Sequence, residues 1–181
     1  MVVLRHVPVR AGLGDATHSL VPFRPGRILD FGVGDGTAWF EFFTAEEAQA
    51  LHRTVTGTDR CVMLGKTIRT ASIYQGRTRP PQGPELATRR SLYIWAASEF
   101  SDGEAELSGV MRRKLRKQGF TAPTVSRLEG TTPIGKWLAH QYASVALAKS
   151  AKAVLERHYP ELQVQYFMDP CENVQQTAQA G

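Results

Sequence analysis

The stretch Gly36-Thr37-Ala38-Trp39-Phe40-Glu41-Phe42-Phe43-Thr44-Ala45-Glu46-Glu47-Ala48-Gln49-Ala50-Leu51 constrains the fold more than any other part of the chain. It begins as an alternating strand, with Ala38, Phe40 and Phe42 on one face and Thr37, Trp39 and Glu41 on the other. A helix start follows at once. Thr44 can cap, Glu47 stands three residues on to complete a capping box, and Ala48, Leu51 and Val55 recur at helical spacing. The rest of the chain has to supply the other strands of that sheet, once or twice over.

On the N-terminal side, Val2 to Val7 is a β-branched run ending at Pro8, which reads as a first strand. Residues 9 to 23 carry a helical pattern in Leu13, Ala16, Leu20 and Val21, closed by Pro22 and Pro25. Arg27 to Phe31 reads as a second strand, and Asp35-Gly36 between two apolar runs is a hairpin signal leading into the third. Gly57 can end the helix over 44 to 56. Cys61-Val62-Met63 then gives a short strand, Gly65 a turn, and Lys66 to Ile73 a last strand. The order is βαββαβ, a split βαβ sandwich.

Residues 75 to 90 are rich in proline, glycine and arginine and read as a linker between domains 1–74 and 91–168. Beyond it the order recurs. Ser91 to Trp95 is a strand, and a helix capped by Ser101 or Asp102 runs to about Gln118 with Leu107, Val110, Met111 and Leu115 as its apolar stripe. Thr124 to Leu128 and Lys136 to Tyr142 are strands, and Ala143 to Arg157 is a helix with Val145, Ala148, Ala151, Val154 and Leu155 facing the core. Leu162 to Phe167 closes the set, and 169–181 reads as a polar C-terminal tail. The expected fold class is α+β: two ferredoxin-like βαββαβ sandwiches in tandem.

Length decides how many such units fit: 181 residues hold one medium domain or two of roughly 75 to 90 residues. The formal net charge of +5 favours polyanionic partners and says nothing about fold. Cys61 and Cys171 lack metal-ligand spacing and read as reduced thiols of an intracellular protein. Nucleus or cytoplasm is the expected compartment, with the mitochondrion as the alternative; no apolar run approaches the ~18 residues of a membrane span.

Both halves resemble the RNA-recognition motif (RRM). In that family two aromatic-bearing strands lie side by side in the sheet centre, and their outward rings stack on bases. In the first half, Val2 to Val7 takes the place of one such strand, with Val3 where the family has an aromatic. Asp35-Gly36-Thr37-Ala38-Trp39-Phe40-Glu41-Phe42 takes the place of the other. Gly36, Ala38, Phe40 and Phe42 fit the pattern, and Trp39 fills one stacking position. Asp35 stands where a cation is expected, and Thr37 replaces the second ring. In the second half, Leu92-Tyr93-Ile94-Trp95 places Tyr93 at a stacking position. Gly135-Lys136-Trp137-Leu138-Ala139-His140-Gln141-Tyr142 places Trp137 at another and turns His140 inward.

The resemblance thus implies a non-enzymatic RNA-binding subunit of a larger ribonucleoprotein or RNA-processing assembly. Its second domain contacts RNA, single-stranded by preference, and its first mainly docks protein. The candidate RNA-binding residues are Tyr93, Trp137, Trp39, Lys136, Arg89, Arg90, Arg77 and Arg79, with no catalytic residue, metal or cofactor expected. Each ring could instead be buried or meet a protein, which would leave a purely structural subunit. The basic run Arg112 to Lys117 reads as a solvated helix face, with an accessory phosphate contact as the alternative. The histidines (His6, His18, His52, His140 and His158) are scattered without triad or metal spacing. A third reading comes from Ile28 to Gly36, which also resembles the glycine-rich motif of S-adenosylmethionine-dependent methyltransferases. It needs a helix after Gly36, where the pattern alternates like a strand.

Overall fold

The computed structural model describes residues 1–57, 61–76, 82, 87–96, 109, 113–117, 126–132 and 135–172. The protein is α+β, with antiparallel sheets. It divides into two compact units: Met1–Leu86 together with the segment from Asp169 onward, and Ala87–Met168.

The first unit runs β1 (Val2–Arg5), α1 (Leu13–Leu20), β2 (Ile28–Gly34), β3 (Thr37–Phe42), α2 (Ala45–Thr56), β4 (Cys61–Met63), β5 (Lys66–Ile68) and β6 (Ala71–Ile73). Its four-stranded sheet has the order β2-β3-β1-β6. Asp35 (φ 50°) and Gly36 (φ 71°) form the β2–β3 turn, where two successive left-handed residues match the twist of the flanking strands. The expected capping box is present. Thr44 Oγ1 accepts from the Glu47 N–H at 3.2 Å, and Glu47 Oε2 accepts from the Thr44 N–H at 2.9 Å. Glu47 Oε1 also accepts from the Arg27 N–H at 2.9 Å, so one carboxylate both starts α2 and pins the entry to β2. Burial raises the Glu47 pKa, against the lowering effect of these backbone N–H groups and of Arg27.

The last strand differs from expectation. Lys66 to Ile73 is not continuous: β5 pairs with β4 as a separate hairpin, and β6 alone pairs with β1. The turn at Leu64-Gly65 folds Lys66 back onto Met63, so the β5 ladder is satisfied by β4 and the chain re-enters the sheet after Arg69-Thr70.

Val2 and Leu4 of β1 meet Phe40 and Ala38 of β3 across the ladder on the buried face, where Phe31 and Phe40 stack 5.6 Å apart. Ala16 and Leu20 of α1 and Leu51 and Val55 of α2 are also buried. Each large apolar side chain buried in this way contributes about 1.5–3 kcal/mol.

A second correction concerns the C-terminal segment. Over its described part, residues 169–172, it belongs to the first unit. Asp169, Cys171 and Glu172 are all buried. Asp169 Oδ1 accepts from the Cys171 N–H at 2.9 Å, which turns the chain; the Cys171 carbonyl then accepts from the Gly26 N–H at 3.0 Å. The Cys171 thiol lies 4.0 Å from the Thr17 carbonyl of α1. Composition reads this segment as polar, but its turn is satisfied internally and it delivers a small apolar thiol to a helix. Residues 173–181 lie outside the described residues.

The second unit runs β7 (Ser91–Ala96), α3 (described over residues 113–117), β8 (Ser126–Thr132), β9 (Gly135–Gln141), α4 (Val145–His158) and β10 (Gln163–Phe167). Its sheet has the order β10-β7-β9-β8. In both four-stranded sheets the final strand therefore lies beside the first, the first beside the third, and the third beside the second. Ser144 caps α4, its Oγ accepting from the Leu147 N–H at 3.1 Å. Ala148, Ala151 and Leu155 of α4 and Leu115 of α3 pack with Leu92, Ile94 and Leu138 of the sheet. Leu107, Val110 and Met111, expected on the same stripe as Leu115, lie outside the described residues. The expected second strand, Thr124–Leu128, is found over its described part: β8 runs Ser126–Thr132 with its register carried by β9, and Thr124 and Val125 lie outside the described residues. Among the described residues, no helix is long and apolar enough to cross a membrane.

Candidate nucleic-acid interface

Strand alternation builds the site. In β7, Leu92, Ile94 and Ala96 are buried under the helices, so Ser91, Tyr93 and Trp95 occupy the other face. Across the ladder to β9, Tyr93 is in register with Ala139 and Trp95 with Trp137. Across the ladder to β10, Gln165 is in register with Tyr93, Gln163 with Trp95, and Phe167 with Ser91. Ala139 opposite Tyr93 adds no bulk, and the Tyr93 ring reaches the diagonal neighbour: it stacks on Trp137 with centroids 5.8 Å apart and planes 23° apart. On its other side Phe167 stands 5.9 Å away, tilted by 34°. Tyr93, Trp95 and Trp137 are half-buried, and Phe167 is 51% exposed. A band of rings thus crosses three strands, from β9 through β7 to β10.

Tyr93 and Trp137, expected together, are together. Trp95 and Phe167 join them on that face and are absent from the expected set. Trp95 was within reach of sequence reasoning, because it stands two positions from Tyr93 on the same strand.

Among the described residues, Lys136 and Arg90 do not join the rings. Lys136 is in register with Ala96, on the face opposite Trp137. Arg89 is half-buried, and its Nη1 donates to the Thr88 carbonyl at 3.1 Å. Arg90, expected to follow an RNA backbone from a linker, is fully buried within the second unit. Its Nη1 donates to the Tyr142 carbonyl at 3.2 Å, and its own carbonyl accepts from the Tyr142 N–H at 2.8 Å. A guanidinium enclosed in this way is a structural group and does not reach a phosphate. Arg77 and Arg79 lie outside the described residues. His140 turns inward as expected, its Nδ1 3.3 Å from the Tyr142 hydroxyl. Burial pushes the Tyr142 pKa up, so that hydroxyl stays neutral.

The corresponding face of the first unit is built differently. Trp39 faces outward, in register with Val3 on one side and Gly32 on the other. Its indole lies directly on Gly32, where a Cβ would come within 2.7 Å of the ring nitrogen; the close approach requires glycine. The register of β2 shifts between Ile28 and Asp30, so that Ile28 and Leu29 are both buried and Asp30 stands opposite Glu41. Glu41 is only 2% exposed. Burial raises the Asp30 pKa to about 6; a hydrogen bond from the Phe31 backbone opposes the rise and the Glu41 charge adds to it. Trp39 therefore sits beside two carboxyl groups, those of Asp30 and Glu41. A cavity of about 400 Å³ opens nearby, walled by Glu41, Phe43, Ala48, Ile73 and Tyr74 among others.

Gly36 opens a strand, so the glycine-rich run from Ile28 to Gly36 is one arm and the turn of a hairpin. A methyltransferase would place a cofactor-binding helix there. Neither a protein-family model nor a curated protein matches the chain.

Proposed function

We propose that this chain is a non-enzymatic RNA-binding subunit of a ribonucleoprotein assembly, built from two tandem ferredoxin-like sandwiches of the RRM kind. The second unit contacts single-stranded RNA through its sheet, and the first mainly docks protein. The observation that carries this reading is the ring band Trp137–Tyr93–Phe167 on an outward sheet face. Rings on a rigid sheet offer π-faces to unpaired bases at little conformational cost, and stacking of this kind is worth about 1–3 kcal/mol per base. The shared strand order supports the fold, and in the second sheet the two central strands, β7 and β9, both carry aromatic rings.

For the first unit, the Asp30–Glu41 pair disfavours a polyanion, while Ile73 and Tyr74 leave apolar surface exposed beside the cavity. Both features suit a protein partner. A purely structural subunit, in which neither sheet touches RNA, is the rival reading. Ultraviolet crosslinking of bound RNA followed by peptide mapping separates the two. Crosslinks are expected at Tyr93, Trp137 and Phe167; RNA crosslinked solely to the first unit, or not at all, overturns the assignment.

A further inference from the structure

The ring band lies in surroundings of unusual charge. The other outward positions of β7, β9 and β10 hold Ser91, Ala139, Gln141, Gln163 and Gln165, all neutral. The β8 residues at the register positions opposite Gln141, Ala139 and Trp137 are Ser126, Leu128 and Gly130, also uncharged types. The basic side chains of α3 belong to the helix layer: Leu115 is in the core under the far face of the sheet, and Arg113, Arg116 and Lys117 are exposed around it. Among the described residues, Lys136, Arg113, Arg116 and Lys117 thus sit behind the rings, and Arg89 stands two positions before Ser91 with its Nη1 donating to the Thr88 carbonyl.

We infer that the second unit holds unpaired bases by stacking and by glutamine carboxamides, with almost no neutralisation of phosphates, so that its affinity is nearly independent of salt. This rests on the RNA-binding reading above. Each phosphate contact to a single strand releases counterions and contributes about −0.7 to the slope of log K against log salt. The described strand positions of this face, from Ser91 to Trp95 on β7 and across β9 and β10, hold no cation and contribute none of this. Gln163 and Gln165 are exposed and project from the edge strand beside Trp95 and Tyr93. A carboxamide offers both a donor and an acceptor, the complement of a base's Watson–Crick edge. Gln165, in register with Tyr93, is placed to read the base stacked there.

The test is fluorescence anisotropy of the full chain with labelled single-stranded oligo-U, oligo-C and oligo-A, from about 50 to about 500 mM KCl. A slope shallower than about −1 is expected for the preferred oligonucleotide. Phe167→Ala, a substitution at an exposed position, should weaken binding about 5- to 150-fold without changing that slope. Gln165→Ala should narrow the spread of affinities among the three oligonucleotides, again at constant slope. A slope of about −3 or steeper overturns the inference while leaving RNA binding in place. An unchanged spread in Gln165→Ala removes the reading role of the carboxamide. No binding to any of the three at the lowest salt fails the RNA reading itself.

Discussion

The two sheets share a strand order and use their outward faces in opposite ways. On the first, Trp39 is pressed onto Gly32 and flanked by the Asp30–Glu41 pair; on the second, Tyr93, Trp137 and Phe167 form an uncharged band open to solvent at Phe167. The backbone pattern alone therefore does not decide what a sheet face recognises. One glycine lets a ring lie down in the first unit, and one alanine opposite Tyr93 lets a ring lean onto its neighbour in the second. Side-chain volume at the register partner sets whether an aromatic is a lid or a platform.

That contrast can be broken most directly at the platform. The double substitution Tyr93→Ala with Trp137→Ala should cost about 2–6 kcal/mol of RNA affinity in anisotropy titrations, with circular dichroism confirming a folded chain. Unchanged affinity in the folded variant would remove the distinction between the faces. On the first face, Gly32→Ala drives a methyl group into the Trp39 indole, and thermal denaturation should report a loss of about 1–3 kcal/mol.

The carboxylate pair gives a test with a sign. The Asp30 pKa is raised from 3.8 to about 6, so the stability associated with its protonated form is fully present below pH 3.8 and is lost as pH rises through 6. Asn imitates the protonated form. Asp30→Asn should therefore stabilise the first unit above pH 6, on the order of 1 kcal/mol once partial solvent exposure is discounted, with the gain vanishing near pH 4. A gain that grows as pH falls would reverse the assignment. The smallest effect is expected at the lid: Trp39→Ala should leave RNA affinity within about 0.5 kcal/mol. A larger loss there would make the first face a second RNA platform.

Local devices were legible in the sequence because their partners are neighbours. The Asp35-Gly36 turn and the Thr44–Glu47 capping box each close within four residues, and both are present. The stripe of Val145, Ala148, Ala151, Val154 and Leu155 is buried for the same reason, since helical periodicity needs no distant information. What escaped depends on distant partners. Arg90 reads as linker until Tyr142 supplies its carbonyl, 52 residues away, and Cys171 reads as tail until it meets Thr17, 154 residues away. Lys66 to Ile73 reads as one strand, because nothing within it shows that β4 takes its first half and β1 its second. Phe167 closes a strand as expected, but its place beside Tyr93 follows from cross-strand register.

The return of Asp169–Glu172 to the first unit carries a consequence for the order of manufacture. Gly26 and Thr17 are synthesised before the second unit, and the segment that supplies the Cys171 carbonyl and thiol after it. Domains generally fold as units and in the order in which they emerge. Here the contacts of Asp169–Glu172 with Gly26 and Thr17 can be added to the N-terminal unit only after residues 87–168 have been made.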